Sequence, residues 1–171
     1  KVESDILNYL KSRMHGGRDW IHFNRKPIEN INKISRRLNI DFSKPTIGML
    51  TNVMWDAQLH YPANAFKNML EWTTDTIKYF IDRPELQLLI RIHPAEITGI
   101  HPSRQPLLDE IKELFPVLPS NIFVIPPESR ISTYIVMNKC NSVIIYGTKM
   151  GVELTSVGIP VIVAGEAWIR N

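Results

Sequence analysis

Gly147, Thr148, Lys149, Gly151 and Glu153 lie between two apolar runs, Ile144–Tyr146 and Ile159–Val163. A plain crossover between buried strands needs only a turn and a helix, so these polar residues ask for a ligand. Gly147 permits a sharp turn, and Thr148 is a natural helix N-cap. The N–H groups of Lys149, Met150 and Gly151 would then leave the helix start, where the macrodipole favours an anion. Gly151 leaves room for a phosphate and Lys149 adds a charge. Glu153, past the first turn, could accept hydrogen bonds from the vicinal hydroxyls of a ribose. A bland reading stands beside this one: a well-capped crossover helix, with Lys149 solvated and Glu153 facing the dipole.

A second candidate is the stretch Leu88–Glu96, "LLIRIHPAE". Arg91 and His93 alternate with Leu88, Ile90 and Ile92 and share one face of a strand. A charge in a central strand is costly unless it is paired or meets an anion. Pro94 ends the ladder, and a His at such an edge can donate to a phosphate. Otherwise His93 caps a carbonyl and Arg91 pairs with a helix carboxylate. In "VIPPESR", Pro126–Pro127 makes a rigid exit suited to presenting backbone to a nucleobase, with Glu128 a further ligand-facing candidate. Ser129 is equally a fair cap for the next helix. After the first strand, Asp56 and His60 could form an acid–base pair, or serve as loop hydrogen bonds with Asn64 capping the following helix. Glu166 and Trp168 complete the set.

Positioning these residues requires alternating strands and helices from Pro45 onward. Strands are predicted in "TIGMLTNV", "LQLLIRIHP", "NIFVIPP", "SVIIYG" and "IPVIVAG". They are short, continuous and rich in Ile, Val and Leu, as strands buried on both faces are. Between them, helices are predicted over 64–82, with Phe66, Leu70, Thr73, Ile77 and Phe80 inward, and over 106–115, with Leu107, Leu108, Ile111 and Leu114 inward. Two more cover 130–140 and 149–158, the last closed by Gly158. The fold class is α/β, a doubly wound parallel, Rossmann-like sheet of about five strands. Ahead of it, residues 1–44 form a helical lead-in or the tail of a preceding domain, and 45–171 form the nucleotide-binding domain. The lead-in contains a short helix at Ser4–Met14, with Ile6, Leu7 and Leu10 on one side, and a second in "KPIENINKISRRLNI" with Pro27 in its first turn. In open parallel sheets ligands bind at the carboxyl ends of the strands, and nearly all the unusual polar groups follow a strand end.

The totals narrow the class. The 171 residues are 44% hydrophobic and 22% charged, which fits an ordinary globular chain. Twenty Lys and Arg against seventeen Asp and Glu leave a formal charge of +3, scattered rather than striped, so nucleic acid is not an expected partner. Cys140 stands alone, which rules out a disulfide within the chain and a cysteine-built zinc site, and suits a reducing compartment. The five His are dispersed, with no HxxxH or DxD spacing, so no metal is expected. No P-loop, GxGxxG or GxSxG is present, and no apolar run is long enough to span a membrane. The chain starts without Met and stops just after a strand, and it reads as an excerpt of a longer protein.

"LTNVMWDAQLHYPANAF", "IRIHPAE" and "YGTKMGVELTSVGIPVIVAG" together resemble the nucleotide-binding half of bacterial capsular polysaccharide biosynthesis proteins. These are glycosyltransferases of the two-domain GT-B fold, the capsule Kdo-transferase type among them. A more distant likeness runs to bacterial sialyltransferases and teichoic-acid glycerophosphotransferases. The resemblance covers about Ile40 to Arg170. It implies that His93–Pro94 and Thr148 with Gly151 hold a donor phosphate, and that Glu153 takes the ribose. It further implies a CMP- or UDP-linked sugar as substrate, no separate cofactor, and a saccharide acceptor bound through an N-terminal domain. The implied compartment is the cytoplasm or the inner face of the membrane, with peripheral membrane association of the full protein left open. The helix start reads Gly-Thr-Lys, without the paired Ser or Thr of some cytidylate-using relatives, so the base stays open. Alternatives are a glycerophosphotransferase or nucleotide-sugar epimerase of the same architecture, or a non-catalytic scaffold in which Arg91 and Glu153 form a buried pair.

Overall fold

Each apolar run forms a strand, and each strand is shorter than its run because the polar or Pro-containing end peels away from the ladder. The computed structural model describes residues 2–14, 27–55, 65–98 and 101–166. The strands are β1 (Thr46–Leu50), β2 (Gln87–Arg91), β3 (Ile122–Ile125), β4 (Ser142–Ile145) and β5 (Val161–Val163). All pair in parallel, in the order β3-β2-β1-β4-β5. The expected doubly wound α/β sheet is therefore present. Leu50 of β1 lies level with Arg91 on one side and Ile145 on the other. The winding reverses between β1 and β4, which makes their carboxyl ends the switch point where open sheets form a ligand crevice.

The helices are α1 (Val2–Met14), α2 (Ile31–Leu38), α3 (Met69–Ile81), α4 (Ala95–Thr98), α5 (Leu107–Leu114), α6 (Thr133–Met137) and α7 (Met150–Ser156). Alternate strand residues feed two apolar layers. Met49, Leu88, Ile90 and Ile122 pack with Trp72, Ile77 and Phe80 of α3 and Leu107 and Ile111 of α5. Leu50, Leu89, Ile125, Val143 and Ile145 pack on the opposite face with Val136 and Met137 of α6 and Leu154 of α7. Ile34 of α2 and the following Ile40 join that second layer. Each fully buried aliphatic side chain contributes roughly 1.5–3 kcal/mol, so these layers dominate the stability. Among the described residues glycine is needed at two loop positions, besides Gly48, where a Cβ would press on the Met137 sulfur. A Cβ on Gly165 would lie 2.3 Å from the Tyr146 carbonyl oxygen, and Gly158 turns the chain after α7 at φ +85°.

Helix starts depart from the sequence reading where a nearby polar residue caps better. α3 begins at Met69, well after residue 64, because Asn68 accepts from the Glu71 N–H (2.8 Å) while the Glu71 carboxylate accepts from the Lys67 N–H (2.6 Å). This reciprocal capping outweighs the apolar stripe that Phe66 extends in the sequence. Asn30 caps α2, which leaves Pro27 outside it, and Ile28 instead bridges to Ile131. Ser132, not Ser129, caps α6. Leu114, expected to point inward, is exposed at the end of α5, as are Ile6 and Leu7 of α1. The short α4 has no counterpart in the sequence reading. No helix among the described residues is long and apolar enough to cross a membrane.

Candidate functional site

At the switch point, β1 runs out into Thr51 and Asn52, both buried. Each ties down a neighbouring loop. The Thr51 hydroxyl accepts from the His93 N–H (3.1 Å), which fixes the exit of β2. The Asn52 carboxamide oxygen accepts from the Gly147 N–H (3.3 Å), which fixes the exit of β4. The His93 loop and the Gly147–Lys149 loop are thus held to the two sides of the same strand end. Thr51 and Asn52 do not stand out in the sequence, because the expected first strand runs through Val53. Two polar residues closing an apolar run were the available signal.

His93 is half-buried, and its Nδ1 accepts from the Ala95 N–H (3.1 Å) at the start of α4. A ring nitrogen that accepts carries no proton, so the imidazole proton sits on Nε2. Pro94 follows, with its carbonyl taken by the Ile97 and Thr98 N–H groups. Gly147 and Thr148 are half-buried and Lys149 exposed, at the mouth of the same edge. The start of α7 differs from the expected open cradle. The Thr148 hydroxyl accepts from the Met150 N–H (3.4 Å) and its carbonyl from the Gly151 N–H (3.2 Å). The helix begins one residue later than expected, and two of its three foreseen donors are engaged by Thr148. Asp56 and His60 lie outside the described residues.

Arg91 and Glu153 leave this edge for other tasks. Arg91 is 2% exposed and faces α6. It donates to the carbonyls of Pro126 and Ser129 (3.1 Å to the latter) and to the Thr133 hydroxyl (3.3 Å). Burial pulls the guanidinium down to about 10, partly offset by the charge of exposed Glu128, so it stays charged at neutral pH. Its effect is to clamp the Pro126–Ser129 turn. Glu153 accepts from Arg13 Nε of α1 (2.6 Å) and from the Tyr134 hydroxyl (2.7 Å). Both carboxylate oxygens are therefore occupied on the α6 side of the sheet, where the sequence reading foresaw a ribose. The Arg91–Glu153 pair expected of a scaffold is not formed, since each residue has other partners.

Glu96, inside the quoted "HPAE", also has a structural task that its sequence position did not advertise. It is 1% exposed, and one oxygen accepts from the Leu107 N–H (3.0 Å) to start α5. The other oxygen has no partner among the described residues. Burial raises its carboxyl to about 7 from the ordinary 4.5. Between those values the folded chain holds a proton that the unfolded chain releases. The stability from the neutral form is full below about pH 4.5 and lost as pH rises through 7. Glu96→Gln is expected to stabilise the chain at pH 8 by of order 2–3 kcal/mol and to change little at pH 5. Urea unfolding at the two pH values checks this, and parallel curves for the two proteins would contradict it.

No protein-family model matches the chain, and no curated protein matches it in sequence. Among solved structures, the fold is similar to Thermosulfurimonas dismutans KpsC, described as a beta Kdo 2,4 transferase. The TM-score is 0.60 at 16% identity, over 98% of this chain and 46% of that one. The chain thus spans about half the length of that protein, and the likeness is one of fold.

Proposed function

We propose that this chain is the donor-binding region of a glycosyltransferase that moves a sugar from a CMP- or UDP-linked donor to a bacterial surface polysaccharide. The observation that carries the reading is the double tie at the switch point: Thr51 to the His93 loop and Asn52 to the Gly147 loop. A crossover connection needs neither tie, whereas a preformed crevice needs both edges fixed. Likeness of fold to a beta Kdo 2,4 transferase supports the same reading.

In this account the nucleotide phosphate lies against Gly147, Thr148 and Lys149, with the Nε2 proton of His93 directed to it from the other side of β1. Lys149 and His93 stabilise the charge that grows on the leaving phosphate, and such preorganised charge stabilisation is commonly the largest catalytic contribution. The Pro126–Ser129 turn, held by Arg91, borders the base. The acceptor saccharide binds across the crevice on a partner domain, and no metal or separate cofactor takes part.

A thermal-shift panel with CMP, CDP, UDP, ADP and GDP tests this. A nucleotide at ~100 times its dissociation constant adds about 2.7 kcal/mol, which raises the midpoint by roughly 5–10 °C for a chain of this size. His93→Ala is expected to weaken that nucleotide roughly tenfold, the worth of a hydrogen bond to a charged group. A well-folded chain that no nucleotide stabilises would overturn the proposal.

A further inference from the structure

We propose that Asn52 is itself a ligand-binding residue: its carboxamide N–H groups donate to a phosphate oxygen of the bound nucleotide while its oxygen holds the Gly147 loop. The inference rests on the donor-site reading above and names a residue within it. The orientation of the amide follows from its partner. Gly147 offers an N–H, which can only donate, so the carboxamide atom 3.3 Å away must be the oxygen. The nitrogen, with two N–H donors, is therefore turned away from Gly147.

Those donors have no hydrogen-bond partner among the described residues, and the nitrogen is not one of the buried unpartnered atoms, so it reaches solvent although Asn52 is only 7% exposed. Its own backbone N–H points to the Met69 sulfur (3.2 Å), toward the α3 layer, so the backbone makes no use of the crevice either. A primary amide held by its oxygen at the carboxyl end of β1, with its donors meeting solvent at an otherwise buried residue, is placed to meet an acceptor that arrives there. An aspartate carboxylate would tie Gly147 with an acceptor and no surplus donor. The surplus is explained by an acceptor that arrives with the ligand. The chemistry fits an anionic oxygen: a neutral amide gives directional donation without adding charge, beside a loop where Lys149 already supplies it. Because one carboxamide joins both tasks, ligand binding and the position of Gly147 are coupled.

Asn52→Asp separates the tasks. The carboxylate keeps an acceptor for the Gly147 N–H but replaces the donors with a negative charge. Calorimetric titration of the full chain with the nucleotide that most stabilises it is expected to show at least about a tenfold weaker affinity in Asn52→Asp, since a charge-assisted hydrogen bond is lost and repulsion added. The melting midpoint without nucleotide is expected to fall modestly, the cost of a carboxylate at a nearly buried position, so affinities are compared at a temperature where both chains are folded. Affinity within twofold of wild type would overturn the assignment while leaving the donor site standing. Failure of the wild-type chain to bind any of the five nucleotides would overturn the donor reading and this assignment together. Should Asn52→Asp not fold, the wild-type chain provides the test by NMR. The Asn52 side-chain amide resonances must move downfield on nucleotide addition, and unmoved resonances at saturation would reject the proposal.

Discussion

Arg91→Ala is expected to lower folding stability by about 3–5 kcal/mol, with the midpoint falling by roughly 6–15 °C. The guanidinium is the partner of two carbonyls, Pro126 and Ser129, and of the Thr133 hydroxyl, in a place where water does not replace it. Each buried carbonyl left without a donor costs about 1–3 kcal/mol, and the removed side chain leaves a cavity as well. Arg91→Lys should fall between, because one ammonium cannot reproduce a planar fork that serves three acceptors. Urea denaturation of the three proteins measures this directly. If Arg91→Ala were within 1 kcal/mol of wild type yet lost nucleotide binding, the residue would be a ligand contact, as its place in "IRIHP" first suggested.

The second large effect concerns Glu153. Its removal leaves Arg13, 4% exposed, without the carboxylate that accepts at 2.6 Å. Breaking such a pair from one side commonly costs about 3–5 kcal/mol. Here an escape exists: α1 can undock and return Arg13 to water, so the cost cannot exceed that of releasing the helix. Val2, Ile6, Leu7 and Tyr9 of α1 are exposed, which leaves α1 with little apolar burial of its own. The expected outcome for Glu153→Ala is therefore loss of hydrogen-exchange protection throughout α1, with the sheet strands still protected. A double-mutant cycle with Arg13→Met should return a coupling of about 1–3 kcal/mol. Nucleotide affinity should change little. An α1 that stays protected while nucleotide binding disappears would return Glu153 to the ribose role that the sequence suggested.

The strands and their parallel order of winding were legible because continuous Ile, Val and Leu runs separated by helical periods have few other interpretations. The edge that carries the candidate site was legible for the same reason: once the sheet is parallel, the loops after its strands share one side. What sequence spacing could not supply was partner identity. Arg13 and Glu153 meet across 140 residues, and no local pattern announces it. Arg91 resembled an anion ligand because a charged residue in a strand must be compensated. Its compensation comes from turn carbonyls, which carry no side-chain signature. Asn52 was hidden for a third reason. A strand reading that follows hydropathy overruns into the polar residues that end the ladder, and those residues are the ones that hold the His93 and Gly147 loops. The cap of α3 was open to view in Asn68–Glu71, and the apolar Phe66 drew the boundary too early.

The most direct test of a donor site at the β1–β4 switch point is a crystal structure of the chain with the nucleotide that gives the largest thermal shift. Phosphate density is expected within hydrogen-bond reach of the Gly147–Lys149 backbone, His93 Nε2 and the Asn52 amide. Density placed instead between α1 and α7 around Glu153, or at the amino edge of the sheet, would contradict it.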